Sequence, residues 1–240
     1  MFITFGTIID ATGDVQKDRN YNVRMVIMMT NHLQKAFTIS VAALVGTLPF
    51  FPILQNSTYF FTYLTFPNNV AQLSSSFLMV LFTCSCIIAT LIVDKIPRRA
   101  MLLTAGTSCI FSLCTFVIAA DYGFRYVAMA GIFAFVFSYG IGVGPISWSI
   151  PPELVPLQNR SAMFCLCYAV HSVLVVLTNF STIPLLETIG TVCFLPIYII
   201  PCSLALMYVY ANLPETKGRD PLDILHELRR MSIKERMVDA

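Results

Sequence analysis

Six runs of apolar residues, each about as long as a bilayer's hydrocarbon core is thick, constrain this chain more than any other feature. A helix rises roughly 1.5 Å per residue, so about 20 apolar residues cross that core with every backbone group bonded internally. The runs fall at about 36–54, 73–93, 100–119, 126–149, 162–184 and 190–211. With 57% hydrophobic and only 12% charged residues in 240, too little polar surface remains to coat a soluble globule. The sequence predicts an all-α, multi-pass integral membrane protein with the lipid bilayer as its solvent. An N-terminal segment over 1–35 precedes a six-helix domain over 36–211, and a tail follows over 212–240.

The charges then orient it. Of 15 Lys and Arg, including Lys35, Lys95, Arg98, Arg99 and Arg160, only Arg125 falls on the opposite side of the six spans. Lys and Arg are retained in the cytoplasm during insertion, so both termini are expected to be cytoplasmic, as an even number of spans requires. The plasma membrane is the expected location. Met1 to Asp10 lacks a basic leader and is too short for a signal peptide. Val26 to Met29 is too short to span and reads as part of an interfacial helix. In the tail, Ile224, Leu225 and Leu228 give one apolar side of an amphipathic helix that packs under the bundle or lies on the membrane. Asn56-Ser57-Thr58 is a glycosylation sequon in an expected outer loop, whereas Asn179-Phe180-Ser181 falls within the membrane.

All eight cysteines lie in the spans, which argues against a disulfide framework and a zinc site, since packed Cys behaves as a small hydrophobe. No metal or cofactor is expected, and no nucleic-acid partner. No nucleophile, base and orienting group stand together, and there is no phosphate loop, so the chain does not read as an enzyme. His171 is the single titratable residue deep in a span other than cysteine and tyrosine. It is either hydrogen-bonded to a neighbouring helix, or a substrate contact or proton carrier.

The run Gly142-Val143-Gly144-Pro145-Ile146-Ser147-Trp148 ends the fourth span and is followed by Pro151-Pro152-Glu153-Leu154 and Arg160. Pro removes a backbone N–H and Gly relaxes the chain, so this helix is expected to break or kink where it lines a cavity. Trp148 is the only tryptophan. It is either an interface anchor at a helix end or an aromatic of the solute pathway. Pro49, Pro52, Pro196 and Pro201 mark hinges or tolerated kinks.

These motifs carry a resemblance. Residues from about 35 to 225 resemble the C-terminal six-helix half of a facilitative hexose transporter, of the sugar-porter family in the major facilitator superfamily. Pro214-Glu215-Thr216-Lys217-Gly218 matches the family's tail signature, and Gly142 to Trp148 resembles its Gly-Pro-Gly-Pro-Ile-Pro-Trp. Pro152-Glu153-Leu154 with Arg160 resembles its Ala-Glu-Leu-Phe and following Arg, and Asp94-Lys95-Ile96-Pro97-Arg98-Arg99 its short cytoplasmic loop. The resemblance implies one half of a major facilitator fold that moves a small, sugar-like solute by alternating access. It also implies a conformational latch of Asp94, Arg98, Arg99, Glu153, Arg160 and Glu215, although positive-inside anchoring explains the basic members equally well. The implied substrate pathway is Gly142, Gly144, Pro145, Ser147, Trp148, His171 and Ser172.

The pocket departs from the family. Its amides fall here on Ala42, Ala43, Leu48 and Phe82, its acidic residue on Gly140, and its Asn-Trp pair on His171 and Ser172. Hexose hydroxyls need groups that both donate and accept, so strong selection for glucose is not expected. Because such carriers rock two halves about one site, the chain is expected to be part of a longer carrier, to form a homodimer, or to pair with another six-helix half. The alternative is a non-transporting sensor, scaffold or regulatory partner of a full-length carrier.

Overall fold

The computed structural model describes residues 31–93, 95–155 and 157–214. Among the described residues nine α-helices follow in order: α1 (Asn31–Val45), α2 (Phe50–Gln55), α3 (Ser57–Tyr63), α4 (Asn68–Ile92), α5 (Arg98–Asp121), α6 (Arg125–Ser138), α7 (Gly144–Glu153), α8 (Arg160–Ile189) and α9 (Ile200–Asn212). They make six helical spans long and apolar enough to cross a membrane: Leu33–Gln55, Asn68–Ile92, Arg98–Asp121, Arg125–Glu153, Arg160–Cys193 and Leu195–Asn212. No strand occurs among the described residues. The segments at 1–30 and 215–240 lie outside the described residues, and with them the N-terminal segment, the expected interfacial helix, the expected tail helix and most of the tail signature.

Of the break or kink that the sequence suggests at the Gly-Pro run, the fourth span shows no break. It stays helical from Arg125 to Glu153 and widens into one π turn over Tyr139–Val143, in which the Gly144 N–H bonds the Tyr139 carbonyl. The wider turn makes room for the Pro145 ring, which clashes with the preceding turn in a regular helix. A second π turn, Leu195–Ile199, in which the Ile200 N–H bonds the Leu195 carbonyl, stands in the same relation to Pro201 in the sixth span.

The break falls in the first span instead. There α1 ends at Val45 and α2 starts at Phe50. Pro49 has no N–H for the Val45 carbonyl, which accepts from the Leu48 N–H at 3.1 Å and from Cys202 Sγ at 3.4 Å. Thr47 Oγ1 donates to the Leu44 carbonyl at 2.7 Å. Non-helical backbone at membrane depth persists only where such partners replace the lost ones.

The connection between the first two spans, which holds the Asn56 sequon, contains α3, which begins directly after Asn56 at the buried Ser57. The helix of the fifth span, α8, runs past the expected end at 184 to Ile189, with Pro184 inside it. It stops at Gly190, whose φ of +76° favours a residue without a Cβ.

Two apolar cores hold the bundle. One, around Phe60, Phe116, Phe135, Phe194 and Tyr198, fills the half of the bundle containing α3. The other, around Ile39, Ile146, Ile150, Leu154 and Met163, lies toward the end that carries Arg98 and Glu153. Small residues let the helices approach closely, which replaces the hydrophobic drive that lipid cannot supply. A Cβ on Gly131 would stand 3.0 Å from the Phe116 backbone nitrogen, and one on Gly142 would stand 3.1 Å from the Met101 carbonyl and collide with the Ala105 Cβ.

Candidate functional site

The break at Pro49 and the π turn at Tyr139 face one another and together shape a cleft of about 400 Å³ between the first, second and fourth spans. Restarting the helix at Phe50 sets Phe50 flat against Tyr139, with ring centroids 4.0 Å apart and planes 9° from parallel. Phe82 of α4 closes on the same pair, 4.8 Å from Phe50. Gly144 permits this arrangement, since a Cβ there would stand 3.1 Å from Tyr139 Cε1. Pro145 and Trp148 line the opposite part of the cleft.

His171 of α8 stands behind two of these rings. It meets Trp148 edge-on at 5.1 Å and 89°, and Phe51 at 5.8 Å. It is only 3% exposed, and neither ring nitrogen has a hydrogen-bond partner among the described residues. The simpler expectation, a histidine hydrogen-bonded to a neighbouring helix, therefore does not hold: the helix facing it presents aromatic carbon instead of polar atoms. Trp148 also packs against Tyr168 at 5.8 Å and Phe164 at 6.3 Å, so it is built into the bundle wall.

The structure brings Gly144, Pro145 and Trp148 to the cleft with His171 beside them, and separates the other expected pathway residues from it. Gly142 packs on Ala105 of α5, and Ser147 is fully buried with its hydroxyl unpaired. Ser172 is half-buried one residue beyond His171, about 100° further round the helix. Of the positions where the family's polar groups fall, Phe82 lines the cleft, Leu48 is in the core, and Ala42 and Ala43 line a separate cavity of about 30 Å³. Gly140 faces α4, where a Cβ would stand 2.6 Å from that of Ser85. Sequence reasoning missed Phe50, Phe51 and Tyr139; the signal available was an aromatic pair placed directly after Pro49.

At the charged end, Arg98 and Glu153 form an ion pair between the start of α5 and the end of α7. The other two arginines of the expected latch each contact a backbone carbonyl. Arg99 donates to the Tyr210 carbonyl at 2.7 Å and lies 5.8 Å above the Tyr210 ring, so it caps the last turn of α9, where carbonyls lack helical partners. Arg160 Nε reaches the Val155 carbonyl at 3.5 Å, within its own connection. Asp94 and Glu215 lie outside the described residues.

The opposite end joins the first and fifth spans through polar side chains. Asn179 Nδ2 donates to Gln55 Oε1 at 2.6 Å, Asn56 Nδ2 approaches Asn179 Oδ1 at 3.5 Å, and the Tyr59 hydroxyl donates to Glu187 Oε1 at 2.9 Å. Both sequon asparagines are thus engaged in one helix-to-helix contact. The Glu187 carboxylate, by accepting the phenolic proton's hydrogen bond, pushes the Tyr59 pKa up.

Six apolar spans, three of which line a cleft between a broken first helix and a π-widened fourth, define an integral multi-pass membrane protein with half of a major facilitator fold. The chain belongs to the family described as "Sugar (and other) transporter", whose profile matches residues 4–227. Among curated proteins it is 29% identical over 192 residues to Sugar transport protein 7 of Arabidopsis thaliana, covering 71% of this chain and 36% of that one. It is 26% identical over 157 residues to the human solute carrier family 2, facilitated glucose transporter member 11, covering 63% of this chain and 32% of that one. The chain thus spans about a third of the length of these relatives. A crystal structure of a D-xylose-proton symporter shares the fold with a TM-score of 0.69 at 18% identity, covering 87% of this chain and 49% of that one.

Proposed function

We propose that the chain is the C-terminal six-helix half of a sugar-porter-type carrier, moving a small sugar-like solute down its gradient by alternating access. The aromatic cleft carries this reading, because it lies where the two irregular helices meet and a change at either break reshapes it. Gly144, Pro145 and Trp148 line the pathway, with His171 behind Trp148. The Arg98–Glu153 pair, completed by Asp94 and Glu215, holds one access state at the cytoplasmic end, where both termini lie. The carrier sits in the plasma membrane and works with a second six-helix unit, either another copy or a distinct half. It performs no covalent chemistry on its solute. Family membership favours a carrier over a sensor or scaffold.

Radiolabelled solute uptake in cells lacking endogenous hexose carriers tests the reading. Saturable uptake is expected, with Glu153→Gln reducing it severalfold while surface expression is retained. Absence of uptake for every hexose, pentose, polyol and small cyclic diol, at normal surface expression, rules the reading out.

A further inference from the structure

The walls of the cleft are unsuited to a solute covered in hydroxyls. Phe50, Phe51, Phe82, Tyr139, Pro145 and Trp148 surround it, and among all its lining side chains only Thr90, Tyr139 and Trp148 carry a nitrogen or oxygen. The Thr90 hydroxyl already donates to the Ile87 carbonyl at 2.7 Å. One further polar group stands close by, the imidazole of His171, enclosed by Phe51 and Trp148 with both nitrogens unpaired among the described residues.

We propose that this cleft takes a small cyclic solute with an apolar ring face and only one to three hydroxyls, recognised by ring stacking and by a hydrogen bond to His171. The inference rests on the carrier reading for how the solute is moved, and concerns only which solutes the cleft accepts. A ring of C–H groups lies favourably against Phe50, Tyr139 and Trp148, as flat apolar faces do against aromatic ones. His171 lies one ring behind the cleft wall, and a bound hydroxyl reaches it when the half-buried Phe51 ring turns aside. A fully hydroxylated ring finds too few partners, and each hydroxyl enclosed unpaired weakens binding by roughly an order of magnitude.

The chain supplies its own probe, since Trp148 is the only tryptophan and lines the cleft. The full chain in lipid nanodiscs is titrated with cis-1,2-cyclohexanediol and with myo-inositol, which share one carbocycle and differ in carrying two or six hydroxyls, while tryptophan emission is read. The diol is expected to shift the emission saturably at a concentration about tenfold or more below that needed for inositol. His171→Phe is expected to weaken diol binding about tenfold, and His171→Gln, which keeps a donor and an acceptor, to preserve most of it. The melting temperature of each variant separates lost binding from lost folding. Tighter binding of inositol, or of D-glucose, overturns the inference, as does an emission that neither ring changes. If the diol binds and no solute is taken up by cells, the cleft stands and the carrier reading falls. If inositol binds more tightly and uptake is intact, the reverse holds.

Discussion

Arg98, the first residue of α5, is paired with Glu153, the last residue of α7, so each charge stands at the helix end where its own helix dipole disfavours it. Neither helix gains from its charge through its dipole, and the contact between the two offsets that penalty. Glu153 also has Oε2 enclosed without a hydrogen-bond partner among the described residues. A contact of this kind holds two helix ends together while both are in place and leaves two disfavoured charges when they part. That is the property needed at a joint which opens and closes.

A double-mutant cycle of Arg98→Gln and Glu153→Gln measures this joint. Both side chains are partly exposed, at 31% and 24%, so solvent screening limits the coupling to about 1 kcal/mol. Thermal unfolding of the four proteins in one detergent is the readout. The double variant is expected to be more stable than the sum of the single losses implies.

Close packing of the third and fourth spans rests on Gly142. Gly142→Ala drives a methyl against Ala105, at a cost of about 1–3 kcal/mol. Adding Ala105→Gly, which removes the obstructing methyl, is expected to recover most of the lost melting temperature. The same rescue tried with Ser85→Gly is expected to fail, because Ser85 faces Gly140 instead.

Alkaline pH is expected to loosen the end opposite Arg98. The Tyr59 hydroxyl donates to Glu187, and its pKa is raised above its ordinary value of 10.0. A raised folded-state pKa stabilises the fold fully below the unfolded value, and the contribution disappears as pH climbs through the folded one. Melting temperature is therefore expected to fall above about pH 10 more steeply in the parent than in Tyr59→Phe, which lacks the group. Identical slopes would show that this contact does not link the ends of the first and fifth spans.

Inside the larger core, the Tyr198 hydroxyl lies 2.5 Å from Thr182 Oγ1 and 3.4 Å from the Thr178 carbonyl. Thr182 keeps a second partner, the Thr178 carbonyl at 2.5 Å. Tyr198→Phe is expected to cost only about 1 kcal/mol, since no buried donor is left unpaired. Tyr198→Ala, which also empties a fully buried ring site, is expected to cost about 3–5 kcal/mol in the same unfolding assay.

Element by element, the apolar runs were legible because length and hydropathy alone decide whether a helix crosses a bilayer. Proline positions were legible too, but their consequences were not. The Gly142–Pro145 run looked like the stronger breaker, yet one widened turn absorbed it, while Pro49 ended its helix. The difference lies in neighbours: Cys202 Sγ and the Leu48 N–H reach the carbonyl that Pro49 leaves without a donor, and no spacing rule reveals that. The surroundings of the Asn56 sequon were hidden for a related reason. Its side chain is held by Asn179, 123 residues away, in a contact invisible along the chain.

The candidate site divides in the same way. Trp148 and His171 were visible as single residues of unusual type, and the missing amides were visible as replacements. That Phe50, Phe82 and Tyr139 form one wall with Trp148, and that Arg99 caps α9 while Arg98 pairs with Glu153, followed only from the packing. By itself the sequence determined a six-span helical membrane protein and its charge asymmetry, because the bilayer imposes the same length and backbone-bonding conditions on every span. The tertiary structure decided where helices break, which glycines pack and which do not, and what lines the cleft, because those depend on partners contributed by other helices.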